Sequence, residues 1–142
     1  EIKFDYQDGA PDPRLPNDGF CARWIGYLYV PQDGDYTFYL SSDDGSRLIV
    51  GGRSAISNLG HHGIEEGRKQ VTKTLKKGIC TLMVDYYEED GWAAAHLEWS
   101  GPGIERTHKM PVTPVPPANY KISYQVRQVD SVGNRSTPAL VK

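Results

Sequence analysis

Alternating hydrophobic and polar residues predict that this chain is built from β-strands. Between residues 35 and 42, Tyr36, Phe38 and Leu40 share one face while Thr37 and Tyr39 take the other, the pattern of a half-buried strand. Similar patterns predict further strands at 20–30, 47–50, 70–75, 79–87 and 92–100. Turn residues separate these runs at intervals of about 8–12 residues, a spacing typical of sandwiches and barrels.

The way these strands are connected favours antiparallel sheets. Parallel strands need long crossover connections, usually helical, and the sequence offers few helical patterns. We therefore predict an all-β fold, an antiparallel β-sandwich with few or no helices. The stretch from residue 54 to residue 68 is polar and is predicted to be irregular.

The character of the chain changes near Met110, where a proline-rich connector begins with the sequence MPVTPVPP. We therefore divide the chain into a sandwich domain at residues 1–115 and a C-terminal β-hairpin at residues 116–142. The hairpin sequence YQVRQVDSVGNRS resembles the end of a fibronectin type III domain. The hairpin either belongs to such a neighbouring domain or completes the sandwich.

Composition excludes some classes of function. The 142 residues carry 16 basic and 18 acidic side chains, a net charge of −2, which does not suit a nucleic-acid binder. No apolar stretch is long enough to cross a membrane, so we expect no membrane insertion.

The opening EIKFDYQDG reads like the interior of a larger protein, so we expect neighbouring domains. Cys21 and Cys80 are too few for a disulfide scaffold, and either one bridge or two free thiols is possible.

Two adjacent acids, Asp43 and Asp44, are the most informative chemical feature. Neighbouring side chains of a strand point to opposite faces, so two carboxylates converge only where the backbone turns sharply. A calcium ion, which takes about six to eight oxygen ligands, suits such a pair. The alternative is that the Asp-Gly sequence here marks the tip of a hairpin that binds no metal.

The sequence resembles the PA14 domain family, named after the protective antigen of anthrax toxin. A first block matches the family pattern of an aromatic-x-x-Arg-Trp-x-Gly strand, a Gly-x-Tyr-x-Phe strand and a Ser-Asp-Asp-Gly turn. The matching residues are Phe20, Arg23, Trp24, Gly26, Pro31, Gly34, Tyr36, Phe38, Ser42, Asp43, Asp44, Gly45 and Leu48. A second block matches at Gly78, Val84, Tyr86, Tyr87, Glu88, Gly91, Ala93, Leu97 and Trp99. The strand that usually opens the family, Gly-Leu-x-x-x-Tyr-Phe, is not found here.

This resemblance implies a β-sandwich that is often secreted or displayed at the cell surface and often binds glycans or polysaccharide. In the lectin members an adjacent aspartate pair, joined by a cis peptide, binds Ca²⁺, and the ion holds sugar hydroxyls. Asp43 and Asp44 occupy those positions and are the implied metal and sugar ligands. A second loop adds metal ligands in such members. The corresponding loop here is Glu88 to Trp92, in which the implied ligands are Glu89, Asp90, Gly91 and Trp92.

Two further side chains are candidates for sugar contact. Trp92 can offer an aromatic face to a sugar ring, although it can equally pack at the rim of the core. His62 lies in a stretch, residues 58–63, that resembles the family loop Asn-x-Gly-x-His-Gly. Trp24 and Trp99 alternate with other apolar residues and are predicted to be core.

We therefore expect a calcium-dependent carbohydrate-binding module, extracellular or at the cell surface, within a larger glycosidase or adhesin. One alternative is a structural or protein-interaction domain that binds no metal. A catalytic fragment is less favoured, because there is no nucleophile elbow or phosphate-binding glycine loop, and a glycosidase pair such as Asp43 with Glu89 would need a cleft. A zinc site at residues 61–66 lacks the usual ligand spacing and a cysteine pair.

Overall fold

The computed structural model describes residues 1–114 and, for the backbone only, residues 124–126 and 139–141. The strands of this described part, in chain order, are Lys3–Gln7 (β1), Phe20–Val30 (β2), Gly34–Asp43 (β3), Ser46–Val50 (β4), Arg53–Asn58 (β5), Lys69–Leu75 (β6), Gly78–Glu88 (β7), Ala93–Gly101 (β8), Ile104–Thr107 (β9), Val112–Thr113 (β10), Tyr124–Val126 (β11) and Ala139–Val141 (β12). Among the described residues there is no helix with the length and apolarity needed to span a membrane.

Two antiparallel sheets form the body of the domain. Sheet A has the strand order β1-β8-β3-β6, with β9 paired to β8, and sheet B has the order β10-β2-β7-β4-β5. This arrangement confirms the prediction of an all-β, antiparallel sandwich. The core lies between the sheets, where the side chains predicted to share one face of β3, Tyr36, Phe38 and Leu40, are fully buried.

The two tryptophans predicted to be core differ in burial and in the aromatic ring on which each one stacks. Trp99 is almost fully buried and stacks on Tyr36 at 5.4 Å between ring centroids. Trp24 lies at the margin of the core, partly buried, where it stacks on Phe4 at 5.5 Å. Each large side chain fully buried in this way contributes about 1.5–3 kcal/mol of hydrophobic free energy.

The hairpin interpretation of Asp43 and Asp44 is wrong. β3 pairs with β6 and β8 in sheet A, whereas β4 pairs with β5 and β7 in sheet B. The segment between them is therefore a crossover from one sheet to the other. An Asp-Gly signal reports only that the chain turns, because the partner of each strand is decided by long-range pairing and burial.

The ends of the domain are built from short strands that the sequence did not predict. β1 pairs with β8 at one edge of sheet A, and β10 pairs with β2 at one edge of sheet B. β5 forms from the first part of the stretch predicted to be irregular. The C-terminal strands β11 and β12 pair with each other. The rest of the predicted hairpin lies outside the described residues, so its two interpretations and the boundary at residue 115 stay predictions. Cys21 and Cys80 are free thiols.

Candidate functional site

The crossover between β3 and β4 brings the backbone close to β7. The peptide bond between Asp43 and Asp44 is cis, as the family resemblance implies. The carbonyl of Gly45 accepts a hydrogen bond from the N–H of Tyr87 at 2.9 Å. A Cβ at Gly45 would lie 2.1 Å from the Tyr87 ring, so only glycine allows this approach. The crossover is thereby fastened to the end of β7.

Three carboxylates meet where the crossover touches β7. Oxygens of Asp43, Asp44 and Glu88 all lie within 4.8 Å of one another, and we call these three residues the acidic cluster. Asp44 and Glu88 are 0% and 2% exposed, whereas Asp43 is half-buried. No other group of three potential metal ligands occurs among the residues that the structure describes.

Backbone N–H groups hold the carboxylate of Asp44 in place. Its Oδ1 accepts from the N–H of His62 at 2.9 Å, and its Oδ2 accepts from the N–H of Glu89 at 2.9 Å. The Nδ1 of His61 lies 3.2 Å from the same Oδ1. Both oxygens are therefore oriented by the two loops that flank the crossover, 59–68 and 89–92.

Glu88 has one satisfied and one unsatisfied oxygen. Its Oε2 accepts from the backbone N–H of Asp44 at 3.2 Å and from the hydroxyl of Tyr86 at 2.7 Å. Its Oε1 is buried and has no hydrogen-bond partner. A buried carboxylate oxygen without a partner is costly, so such an atom usually has a ligand, an ion or water.

Burial and mutual repulsion dominate the electrostatics of the acidic cluster. Burial raises the pKa of Asp43 and of Glu88, and repulsion from Asp44 adds to both shifts. Burial and the nearby carboxylates also raise the pKa of the Tyr86 hydroxyl. Among the described residues, no lysine or arginine forms an ion pair with the cluster. The donor set of hard oxygens, the charge and the unpartnered Oε1 fit a calcium ion.

A buried polar network links the two ends of the crossover to β5 and to loop 59–68. The hydroxyls of Ser42 and Ser46 lie 2.7 Å apart, and the Asn58 side chain donates to Ser42 at 3.2 Å and to the carbonyl of Gly67 at 2.8 Å. A Cβ at Gly67 would lie 2.0 Å from the carbonyl oxygen of Ser42. This network ties β3, β4 and β5 to loop 59–68, which carries the N–H group that binds Asp44.

The structure brings together some of the predicted site residues and separates others. Asp43 and Asp44 lie in the acidic cluster, and His62 contributes its backbone N–H to it. Glu89 also contributes a backbone N–H, while its side chain is 63% exposed. Asp90, Gly91 and Trp92 are exposed in the adjoining loop and lie outside the acidic cluster. Their assignment as metal ligands, like that of the Glu89 side chain, stays a prediction.

Glu88 is not among the predicted metal ligands, because the predicted strand ends at residue 87 and leaves Glu88 in the loop that follows. It is instead the last residue of β7. Residues 84, 86 and 88 have the same parity along the strand, so alternation places Glu88 on the buried face with Val84 and Tyr86. Extending the alternation by one step beyond Tyr87 would have identified it.

Comparison with known proteins shows the family of this domain. A family model for the PA14 domain matches residues 1–111. The chain belongs to the PA14 domain family. This PA14 domain is 32% identical over 99 residues to the anti-sigma-I factor RsgI3 of Acetivibrio thermocellus, a match that covers 70% of the chain and 15% of that relative.

Solved structures share the fold. An anti-sigma factor domain-containing protein from Clostridium clariflavum has a TM-score of 0.72 at 22% identity, covering 99% of this chain and 51% of that one. A PA14 sugar-binding domain from an RTX adhesin has a TM-score of 0.56 at 23% identity, covering 67% of this chain and 52% of that one. The chain thus spans about half or less of the relatives it matches.

Proposed function

We propose that this PA14 domain is a calcium-dependent carbohydrate-binding module. The observation that carries the proposal is the unpartnered, buried Oε1 of Glu88 within a cluster of three carboxylates with which no described lysine or arginine forms an ion pair. Membership of the PA14 family, and a fold shared with a sugar-binding domain of an adhesin, support carbohydrate as the class of ligand.

The proposed ligand set for Ca²⁺ consists of the carboxylates of Asp43, Asp44 and Glu88. The ion, when bound, would supply coordination positions for sugar hydroxyls. The N–H groups of His62 and Glu89 orient Asp44 toward that position. Trp92, 53% exposed on the adjoining loop, would stack on a sugar ring.

The domain would serve as a non-catalytic part of a longer protein outside the cell or at its surface, with a glycan or polysaccharide as partner. The similarity to an anti-sigma-I factor, of which the matched region is 15%, favours an anti-sigma factor as the parent over a glycosidase or an adhesin. In that setting the module would recognise extracellular carbohydrate on behalf of the other domains.

Isothermal titration calorimetry with a panel of oligosaccharides, in calcium and again in EDTA, tests the proposal. We expect binding in calcium and none in EDTA, and Asp44→Ala should abolish it. The matched control is Asp33→Ala, which removes an exposed aspartate paired with Lys76 at the opposite end of β3 and should bind like the unaltered protein. Equal binding with and without calcium would contradict the role of the ion.

A structural or protein-interaction domain is the second candidate function. It is favoured by the exposed aliphatic and aromatic side chains on the outer face of sheet B, among them Ile25 at 63% exposure. It predicts no binding to any glycan, and no change in thermal stability when calcium is added or removed.

A further inference from the structure

The outer face of sheet A carries a groove that begins beside the acidic cluster. Asp43, Ser41 and Tyr39 alternate onto this face of β3, while the residues between them point into the core. Asp43 lies opposite Ala94 of β8. From Asp43 to Tyr39 the strand extends about 14 Å, which is longer than a single sugar ring.

We define the outer groove by six of its lining residues, which come from β3, β8, β9 and the loop before β8. They are Ser41, Trp92, Ala94, His96, Glu98 and Arg106. Trp92 and Ile64 flank the end nearest the acidic cluster, and the backbone N–H of Ile64 hydrogen-bonds the Asp43 carboxylate. The candidate ion site and the outer groove are therefore continuous through Asp43.

Polar side chains in the outer groove are held in fixed positions. Arg106 forms an ion pair with Glu98 and lies over the ring of Tyr39, 4.1 Å from its centroid. The Tyr39 hydroxyl lies 3.3 Å from that of Ser100. Side chains that are already ordered lose little conformational entropy when a ligand binds, so this surface is preorganised.

Both arginines that line the outer groove are paired. Arg68 lies 2.7 Å from Glu65 and Arg106 pairs with Glu98, while Nε2 of His96 lies 2.9 Å from Oδ1 of Asp5. A surface whose arginines are paired has no free cation for an anionic ligand but keeps donors and acceptors for hydroxyl groups. Together with the exposed ring of Trp92 at one end, it complements a neutral, hydroxyl-rich glycan chain.

We propose that the outer groove binds further units of a neutral glycan chain whose first unit is held at the acidic cluster. The inference rests on the proposed function and specifies it, because the ligand is then a stretch of polysaccharide rather than a single terminal sugar. Affinity then depends on the length of the glycan, and the acidic cluster and the outer groove contribute separately to that affinity.

Calorimetry with cello-, xylo-, manno- and β-1,4-galacto-oligosaccharides of one to six units, in calcium, tests this inference. For the series that binds, the longest members should bind at least about tenfold more tightly than the single sugar, equal to about 1.4 kcal/mol. Ser41→Phe fills the groove floor and should return the long ligands to the affinity of the short ones. Thr37→Phe adds the same ring to the same face outside the outer groove and should leave every affinity unchanged.

A second variant keeps the test valid if Ser41→Phe folds poorly. Arg106→Gln should weaken the long ligands severalfold, leave the short ones unchanged and leave the calcium-dependent thermal shift intact. Equal affinity for short and long ligands would overturn the inference while the proposed function stands. Tighter, salt-sensitive binding of polygalacturonate would overturn the neutral ligand. Failure of every oligosaccharide to bind in calcium would overturn the proposed function and the inference with it.

Discussion

Two acidic residues near the end of β7, Asp85 and Glu88, differ in their partners and in the direction of their pKa shifts. Asp85 accepts hydrogen bonds from Arg23 at 2.5 Å and from Arg47 at 2.6 Å, and the hydrogen bond from Arg23 is the main reason that its pKa lies below the usual value. Glu88, three residues further on, has no cationic partner, and burial raises its pKa. A carboxylate supplied with its own arginines is structural. One that is buried without them is stabilised either by a proton or by a cation from solution.

Alternation along β7 places the side chains of Asp85 and Glu88 on opposite faces of the strand. Asp85 lies in register with Arg23 on β2 and with Arg47 on β4, on the outer face of sheet B. Glu88 has the opposite parity and faces the crossover, which brings carboxylate oxygens of Asp43 and Asp44 within 4.8 Å of its own. The two faces of β7 therefore carry different carboxylates, one paired with two arginines of the neighbouring strands and one that belongs to the acidic cluster.

The largest effect should follow from Asp44→Asn. The amide keeps the shape of the side chain, but it removes one negative charge and replaces an oxygen that accepts a backbone N–H with a group that cannot. We expect calcium affinity to fall at least a hundredfold, glycan binding to be lost, and the free energy of unfolding to fall by about 1–3 kcal/mol. Calorimetry and urea unfolding measure these quantities.

Asp85→Asn is the matched control for that change. It should lower stability slightly, because the two arginines lose their partner, while calcium and glycan affinities stay those of the unaltered protein. If Asp85→Asn reduced calcium affinity as strongly as Asp44→Asn, the distinction between the two sites would be wrong.

Much of this site follows from the sequence, but its assembly does not. Alternation predicted β3 and β7 to within one residue at each end, and it predicted the buried face of β3. The family resemblance identified Asp43 and Asp44 as the candidate ligand pair. The sequence could not show that β3 and β4 belong to different sheets, because a local turn signal is the same for a hairpin and for a crossover. It also could not show that the N–H groups of His62 and Glu89 converge on Asp44, since both contacts join distant segments.

A second prediction concerns Glu88→Gln. Without an ion, the neutral amide removes a buried charge that repels two neighbouring carboxylates, so the metal-free protein should become more stable by about 1 kcal/mol. With calcium the same change removes a charged ligand, so the thermal shift caused by the ion should shrink. Differential scanning calorimetry in EDTA and in calcium compares the two. A loss of stability in EDTA would contradict the view that this carboxylate lacks a cationic partner.

The pH dependence of stability should have opposite signs at the two sites. The pKa of Asp85 is below its usual 3.8 in the folded state, so its contribution is present above that value and is lost as the pH falls through the lowered pKa. The pKa of Glu88 is above its usual 4.5, so without an ion the folded protein retains a proton that the unfolded chain has lost. Stability in EDTA should therefore fall as the pH rises through the range above 4.5.

Calcium should reverse that second trend. Protons and calcium compete for the same carboxylates, so in the presence of the ion stability should rise with pH over that range. Thermal unfolding at a series of pH values, in EDTA and in calcium, gives the two slopes. Parallel slopes would mean that the carboxylates of the acidic cluster do not bind the ion.

The smallest effect should come from Arg47→Gln. Its guanidinium is 43% exposed, and Asp85 keeps Arg23 as a partner, so the loss should be about 0.5 kcal/mol and should diminish at high salt. Calcium and glycan affinities should not change, because Arg47 faces away from the acidic cluster.

Arg23→Gln is the companion variant, and the double variant tests whether the two arginines act together. With both removed, Asp85 becomes a half-buried carboxylate without a cation, and its pKa should rise in the direction already seen for Glu88. If that happens while calcium affinity stays unchanged, lack of a counter-ion alone does not make a calcium site, and the convergence of three carboxylates is the feature that does.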